Sequence, residues 1–294
     1  MAGNFWQSSQ YQQWTMEKAD LLRERAEDLK ALSEDEYQKL MIFFANFIHI
    51  CCQDPHQQSR ARMQVVATAT LFFRRFYARR SLKDIDPFLM APTCVVLASK
   101  VEENGMLSAQ KIDSSYKMAL KKYPFLTQEP AIRPVLMQEA EFFLLEILDC
   151  CLVVYHPYRP LTQLWLELAT LYKDSKDLEE LKSVSWKVCN DSLKTDASLL
   201  YPPHLISIAC IMIAAIWTNR DLKAWFSEFA VDFEKVFEIQ QLIFNMYNLA
   251  RGFNESEQLG PILEKMPKPA QSPRNHNGSQ QQSQPQHINP MMPM

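Results

Sequence analysis

The stretch Asp86–Glu103, DPFLMAPTCVVLASKVEE, decides the fold of this chain. Asp86 can cap the free amides of a first helical turn, and Pro87 suits the first helical position, where no N–H is needed. The residues that follow are apolar on almost every side, which predicts a helix in the middle of a bundle. The helix then ends abruptly in Ser99–Glu103, where three of the five residues are charged. Because such an end can hold a side chain in a fixed place, Lys100 is the first candidate functional residue.

The composition around this stretch predicts an all-α protein. The 294 residues include only 5 glycines, whereas hairpin-rich and Rossmann-like folds use glycine at turns and phosphate loops. The length suffices for two domains of about 100–150 residues each. A net charge of −3 argues against binding nucleic acid through a broad basic surface. Seven cysteines without C-x-x-C spacing fit a reducing intracellular compartment.

Helical periodicity predicts five helices on each side of a central linker that contains two prolines. The first helix opens with the capping box Ser33–Glu36, in which serine is followed three residues later by glutamate. In the first half the predicted helices run from this box to a break at 53–58, and over about 60–79, 87–101, 108–122 and 135–151. In the second half they cover about 161–172, 177–195, 203–218, 220–229 and 231–250.

The two halves resemble each other most clearly in their third helices. Pro203 and the apolar residues after it repeat the pattern that begins at Pro87, at a constant offset of 116 positions. This predicts a duplicated five-helix domain whose middle helix is the central one. The counterpart of Lys100 is Ile216, so the fold alone does not require a lysine there. Two interpretations of Lys100 stay open: a partner contact, or a cation favoured by the helix dipole by about 0.3–1 kcal/mol.

The predicted organisation has five parts. They are an N-terminal amphipathic helix or extension outside the main core (1–32), a first repeat (33–152), a linker (153–160), a second repeat (161–252) and a C-terminal extension (253–294). We expect disorder from about residue 267, since the chain there is rich in proline, glutamine, serine and asparagine and has no aromatic residue.

Signatures of catalysis are missing from the sequence. It contains no glycine-rich phosphate loop, H-E-x-x-H motif, nucleophile elbow or kinase signature, so we expect neither an enzyme nor a cofactor. A zinc site built from His49, Cys51, Cys52 and His56 lacks the usual ligand spacing, so no metal is expected. The longest apolar run, 205–217, is shorter than the ~20 residues that span a bilayer.

Charged residues supply two further candidates. Glu141 lies among apolar residues of the fifth helix, where a carboxylate either needs a partner or belongs to a solvent-facing stripe with Glu146. A basic cluster follows the second helix, and we interpret it as a solvated helix end in preference to a phosphate site. Its members are Arg74, Arg75, Arg79 and Arg80.

Trp186, Asn190 and Asp191 lie near one face of a predicted helix in the second half. Trp186 is either an ordinary core residue or an anchor of an interface, because a large aromatic side chain beside amide and carboxylate groups is common in binding hot spots. Both interpretations stay open.

The duplicated domain, the LASKVEE helix end and the glutamate on the fifth helix resemble the cyclin family over about 36–250. The strings AGNFWQSSQYQQW, FYARRSL, DPFLMAPTC, VYHPYRPL and LLYPP are similar to those of the cyclin in the Mediator kinase module. The resemblance implies a nuclear regulatory subunit, not itself catalytic, that binds and activates a cyclin-dependent serine/threonine kinase of Mediator and regulates RNA polymerase II transcription. Other kinase-module subunits are implied partners, whereas nucleic acid and membranes are not. A cyclin-fold transcription adaptor or scaffold without kinase activation is the alternative.

The resemblance also implies roles for particular residues. Lys100 and Glu141 match family positions that contact the kinase, and Leu89 matches an accompanying apolar position. A second partner surface, for a Mediator subunit, is expected at five positions. They are Trp6, Trp186, Asn190, Asp191 and Tyr247.

The chain departs from cell-cycle cyclins in two places. The positions of their internal arginine–aspartate pair are Met41 and Arg74, so we expect that pair to be absent. Their substrate-docking patch, built around an MRAIL string, reads LMIFF over Leu40–Phe44, and its tryptophan is replaced by Phe47. Substrate recruitment through that patch is therefore not expected.

Overall fold

The computed structural model describes residues 4–53, 61–104, 108–124, 126, 132–171 and 176–269. Within these ranges every regular element is a helix, which confirms the all-α prediction. The α-helices are α1 (Ser9–Trp14), α2 (Lys18–Glu24), α3 (Glu34–Cys52), α4 (Met63–Arg79), α5 (Pro87–Val101), α6 (Ala109–Leu120), α7 (Pro134–Ile147), α8 (Tyr158–Leu171), α9 (Lys176–Ser192), α10 (Ala197–Leu200), α11 (Pro203–Trp217), α12 (Lys223–Phe226), α13 (Phe233–Gly252) and α14 (Glu255–Lys265). No helix in the described ranges is both long and apolar enough to cross a membrane.

The first repeat consists of α3–α7, with α5 at its centre. The Asp86 side chain caps α5 by accepting a hydrogen bond from the Phe88 N–H at 2.9 Å, as the sequence predicts. Helices α3, α4, α6 and α7 all contact α5, so its nearly continuous apolar surface is covered. Aromatic rings from α3 and α5 fill the core between them, and Phe44 and Phe88 lie 5.1 Å apart in edge-to-face geometry. This arrangement makes α5 a rigid central element.

The second repeat is built around α11 in the same way. Helices α8, α9 and α13 contact α11, and α11 spans the same number of residues as α5 at the predicted offset. The duplication is therefore confirmed. The predicted helix at 220–229 is wrong in its length, because only Lys223–Phe226 are helical. A single turn suffices there to bury Trp225 and Phe226 in the second core.

The N-terminal segment was predicted to lie outside the core, and that prediction is wrong. The segment forms two short α-helices, and the Trp14 side chain at the end of α1 is buried in the core of the first repeat. Gln10 exchanges two hydrogen bonds with the backbone of Tyr155 in the connection between the repeats, at 3.1 and 2.7 Å. The Met16 N–H donates to the Leu199 carbonyl at 2.8 Å. The segment thus joins both repeats.

Helix α14 was not predicted. It returns to the first repeat and packs on α3, with Leu259 and Ile262 buried in the first core. Lys265 Nζ lies 2.6 Å from Glu36 Oε1 and so ties the end of α14 to the start of α3. The disorder expected from about residue 267 falls almost entirely on residues 270–294, which lie outside the described residues.

The connection between the repeats differs from the prediction at both ends. Helix α7 ends at Ile147 instead of residue 151, because Asp149 and Cys150 adopt left-handed backbone angles, with φ of 49° and 51°. Helix α8 begins at Tyr158, inside the predicted linker. Pro160 is tolerated there, since amides in a first helical turn need no intrahelical partner.

Candidate partner-binding surfaces

Lys100 and Glu141 are brought together by the packing of α5 against α7. Lys100 Nζ contacts both carboxylate oxygens of Glu141, at 2.6 and 2.7 Å. The lysine lies in the last turn of α5 and is half-exposed, whereas the glutamate is largely buried. Glu141 therefore has the partner that its apolar surroundings require, and it does not form a solvent-facing stripe.

Leu89 lies in the first turn of α5, half-buried against the core of the first repeat. Lys100 lies eleven positions further along the chain, which corresponds to roughly 16–17 Å along a helix at 1.5 Å per residue. The structure therefore places Leu89 on the same helix as Lys100, but near the opposite end and away from the ion pair.

Exposed aromatic side chains beside Glu141 were missed by the sequence analysis. Phe142 is 74% exposed and Phe143 is 56% exposed. Val135, which is also exposed, precedes Phe142 by seven residues and so shares its face of α7. Large exposed apolar groups that lie together are typical of interaction sites. We call Lys100, Glu141, Phe142 and Phe143 the first surface.

Four of the five residues expected at the second surface lie together on the second repeat. The Trp186 ring stacks on Tyr158, with ring centroids 5.5 Å apart and an interplanar angle of 11°. The Tyr158 hydroxyl donates to Asn190 Oδ1 at 2.9 Å. The Tyr247 hydroxyl donates to Asp191 Oδ2 at 3.0 Å. Helices α9 and α13 thus present Trp186, Asn190, Asp191 and Tyr247, which we call the second surface. Trp186 is half-buried, so it packs on the core and also reaches solvent.

Trp6, the fifth expected residue, is exposed and lies apart from these four. Its ring contacts Tyr11 and His204, at centroid distances of 4.9 and 5.6 Å. Trp6 and Tyr158 both line a cleft of about 660 Å³ between the N-terminal segment and the second repeat. Tyr158 therefore connects the two regions, because it lines this cleft with Trp6 and also stacks on Trp186 of the second surface.

The basic cluster is a solvated helix end only at Arg80, which is exposed, and in part at Arg79; for Arg74 and Arg75 that prediction is wrong. Arg74 and Arg75 are only 1% and 0% exposed, because α4 packs against the N-terminal segment on one side and the second repeat on the other. Burial lowers the pKa of Arg75 to about 9. Arg79 remains partly exposed, with its guanidinium over the Trp14 ring at 3.8 Å.

Arg74 forms an ion pair that the sequence analysis did not find. Its Nη1 atom lies 2.9 Å from Asp196 Oδ1, and Arg25 contacts the same carboxylate. Arg25 and Asp196 are 171 residues apart in the sequence, and neither belongs to a motif that could have revealed the contact.

Among the described residues, no three or more histidine, cysteine, aspartate or glutamate side chains cluster as metal ligands would. His56, one member of the zinc set considered from the sequence, lies outside the described residues.

The chain is similar to known proteins along most of its length. Residues 52–153 match the family described as Cyclin, N-terminal domain, and residues 156–251 match the Cyclin C-terminal domain. Cyclin-C of Drosophila melanogaster is 50% identical over 277 residues, covering 93% of this chain and 100% of the relative. Cyclin-C of Rattus norvegicus is 46% identical, with 96% and 99% covered, and that of Caenorhabditis elegans is 41% identical, with 93% and 95% covered. The chain belongs to the cyclin C family.

Solved structures with the same fold include chains from kinase complexes. A chain of the Chaetomium thermophilum CAK complex bound to ATP-gamma-S superposes with a TM-score of 0.70 at 20% identity, covering 90% of this cyclin and 88% of that chain. A chain of the yeast TFIIK (Kin28/Ccl1/Tfb3) complex gives 0.62 at 26% identity, covering 81% and 100%. The yeast RNA polymerase II CTD kinase CTDK-1 complex gives 0.57 at 16% identity, covering 89% and 86%.

The structure places the residues at which the sequence was expected to depart from cell-cycle cyclins. Met41 is a buried apolar residue of the first core, and Arg74 pairs instead with Asp196 from the second repeat. The side chains of Leu40–Phe44 are buried in the first core, together with Phe47. None of these six side chains is therefore exposed to a partner in the described structure.

Proposed function

We propose that this cyclin binds and activates a cyclin-dependent serine/threonine kinase of the Mediator complex, in the nucleus, and thereby regulates RNA polymerase II transcription. Cyclin-C relatives that cover nearly the whole chain support the assignment, as do fold relatives in the CAK, TFIIK and CTDK-1 complexes. The observation that carries the proposal is the first surface, where exposed aromatic side chains adjoin a single ion pair. In this proposal the chain is the regulatory subunit and the kinase supplies the catalytic groups.

The physical basis is control of a movable kinase element. An inactive kinase holds its αC helix away from the active site, so that the β3-lysine and αC-glutamate pair is not in place. A rigid apolar surface can hold that helix inward. Shifting the ratio of inward to outward αC helix from 1:99 to 99:1 requires about 5.5 kcal/mol of differential binding free energy. An interface of roughly 800 Å² per partner can supply that free energy.

The apolar and charged parts of the first surface have different roles. Phe142 and Phe143 expose most of their apolar area and can supply affinity on burial. Lys100 and Glu141 already satisfy each other, so they orient the partner more than they add affinity.

Reversing the ion pair tests this division of roles. The variants are Lys100→Glu, Glu141→Lys and the double swap, with Lys182→Glu, at an exposed i,i+3 pair on α9, as a matched control. We expect the swap to keep the unfolding temperature of the parent but to activate the kinase poorly on a polymerase C-terminal-repeat peptide. Full activation by the swapped chain would contradict the roles of Lys100 and Glu141.

We also propose that the second surface, with Trp6, binds another subunit of the Mediator kinase module. The stacking of Trp186 on Tyr158 and the bond between Tyr247 and Asp191 hold these side chains in fixed positions, which favours binding. Replacing Trp186 and Asp191 by alanine should weaken assembly with the subunit while kinase binding persists. Leu166→Ala, at an exposed position on α8, is the control. Unchanged assembly would count against this surface.

The same experiments separate activation from scaffolding. A chain that binds the kinase and the other subunit but leaves the kinase activity unchanged would be an adaptor or scaffold.

A further inference from the structure

Three charged side chains from three parts of the chain meet inside the molecule. Arg25 follows α2 in the N-terminal segment, Arg74 lies on α4 of the first repeat, and Asp196 precedes α10 in the second repeat. Arg25 donates two hydrogen bonds to the Asp196 carboxylate, from Nη1 to Oδ2 at 2.7 Å and from Nη2 to Oδ1 at 2.8 Å. Arg74 Nη1 lies 2.9 Å from Oδ1. All three side chains are buried.

Backbone contacts extend this cluster along one turn of the second repeat. Arg74 donates through Nε to the Leu193 carbonyl at 3.1 Å and through Nη2 to the Lys194 carbonyl. Gln38 Nε2, from α3, donates to Asp196 Oδ2 at 3.0 Å. Arg74 and Gln38 of the first repeat thus bind residues 193–196 of the second repeat through hydrogen bonds to two carbonyls and one carboxylate.

That turn directly follows the part of α9 that carries the second surface. Asn190 and Asp191 lie in the last turn of α9, and Lys194 Nζ contacts Asp191 Oδ1 at 3.0 Å. Fixing the turn therefore fixes one side of the second surface relative to the first repeat, where the first surface lies.

The chemistry of these three charged groups indicates that they fix the relative orientation of the repeats more than they stabilise the fold. Burial by itself would raise the pKa of Asp196, but the two guanidinium groups and Gln38 hold it below its usual range, so the carboxylate is charged at physiological pH. Buried ion pairs recover little more than their desolvation cost, and apolar replacements of similar volume are often as stable. Apolar replacements would not fix one relative orientation of the repeats. Hydrogen-bonded ions do, because their bonds form in only one geometry.

We propose that Arg25, Arg74 and Asp196 form an orientation lock, which fixes the second surface relative to the first repeat so that two partners are bound in one relative geometry. The three are positioning residues, since none is placed in either surface. The lock follows from the described contacts, whereas its effect on partners rests on the proposed function.

The decisive variant replaces the lock with apolar side chains: Arg25→Met, Arg74→Leu and Asp196→Leu together. Its matched control is Glu27→Leu with Lys83→Met, which removes an exposed ion pair between the same N-terminal segment and the first repeat. Arg74→Lys is a milder variant, because it keeps the charge but cannot reach the carboxylate and both carbonyls at once. It tests the proposal if the triple variant does not fold.

The orientation of the repeats is measured by pulsed electron resonance between two spin labels. Cys150 is exposed, while Cys51, Cys52, Cys94, Cys189 and Cys210 are buried. A Cys151→Ser, Glu228→Cys background therefore carries one label at the end of α7 and one after α12. We expect a single narrow distance distribution for the parent and the control. The triple variant should keep the unfolding temperature of the parent but show a distribution at least twice as wide, and Arg74→Lys should be intermediate. Parent-like width in a folded variant overturns the lock.

Partner binding tests the consequence separately. The triple variant should bind the purified kinase subunit with parental affinity, because the first surface lies within the first repeat. Its affinity for the second Mediator subunit, measured with the kinase bound, should fall about tenfold. Wider distances with unchanged affinity for that subunit would overturn the effect on partners. If the parent itself binds no Mediator subunit, the proposed function fails, while the distance distributions still decide the lock.

Discussion

Truncating Phe142 should weaken kinase binding without destabilising the free cyclin. The side chain is 74% exposed on α7, so the folded chain gains little from it. Complete burial of a phenylalanine side chain contributes about 1.5–3 kcal/mol. Roughly three quarters of that is still available to a partner, so Phe142→Ala should cost about 1–2 kcal/mol of binding free energy. This corresponds to a rise in Kd of about 5- to 30-fold.

The assay is a calorimetric titration of the purified kinase subunit into each variant, together with thermal unfolding of the free chain. Phe237→Ala is the matched control, since Phe237 is 58% exposed on α13 in the second repeat. We expect the control to bind the kinase as the parent does, and both variants to keep the parental unfolding temperature. If Phe142→Ala leaves Kd within twofold of the parent, Phe142 does not contribute to kinase binding and its proposed role is wrong. An equal loss in Phe237→Ala would show that the effect is not specific to the first surface.

Three further predictions concern stability, measured by urea denaturation. Trp14→Ala should cost about 3–5 kcal/mol because the side chain is buried in the first core, and a loss below 1 kcal/mol would show that the N-terminal segment is not part of it. Arg74→Ala should cost about 3–5 kcal/mol, since it breaks a buried ion pair and leaves a cavity in place of its side chain, whereas the partly exposed Arg79→Ala should cost less than about 1 kcal/mol; similar losses would show that the burial of Arg74 does not matter for stability. Hydrogen bonds from Lys265 and Ser33 lower the pKa of Glu36 from 4.5 to about 2, so its contribution is fully present above pH 4.5 and is lost as the pH falls towards 2. Glu36→Gln should therefore cost about 1 kcal/mol at pH 7 and progressively less at pH 4 and 3, and a loss independent of pH would rule out this linkage.

The parts of the fold that were predictable are those specified by neighbouring residues. Asp86 and Pro87 define the start of α5, and the apolar run that follows can be accommodated only at the centre of a bundle. The offset between Pro87 and Pro203 then locates the second central helix. The proximity of Lys100 and Glu141 came from the resemblance to cyclins, since a helix end and a residue on another helix carry no mutual signal in one sequence.

The remaining features depend on which elements happen to pack together. The run Phe142–Leu145 on α7 is continuously apolar, so it gives no periodicity by which exposed Phe142 could be separated from buried Leu144. The arginines of α4 look like a solvated helix end until the N-terminal segment and the second repeat cover two of them. Arg25 and Asp196 are too far apart in sequence for spacing rules, which apply only along a single element.

The geometry of the Lys100–Glu141 ion pair supports the orienting role proposed for these charges. In the free cyclin Lys100 and Glu141 satisfy each other, so a partner that uses either charge must exchange one contact for another. An ion pair with a half-exposed lysine contributes only about 0–1 kcal/mol. Exchanging it for a contact with a partner therefore costs little free energy, but it also adds little binding free energy. A partner helix in the wrong orientation, in contrast, would place like charges together and lose both contacts. In the proposed complex, the pair would therefore select one orientation of the kinase, while the aromatic side chains beside it would supply the affinity.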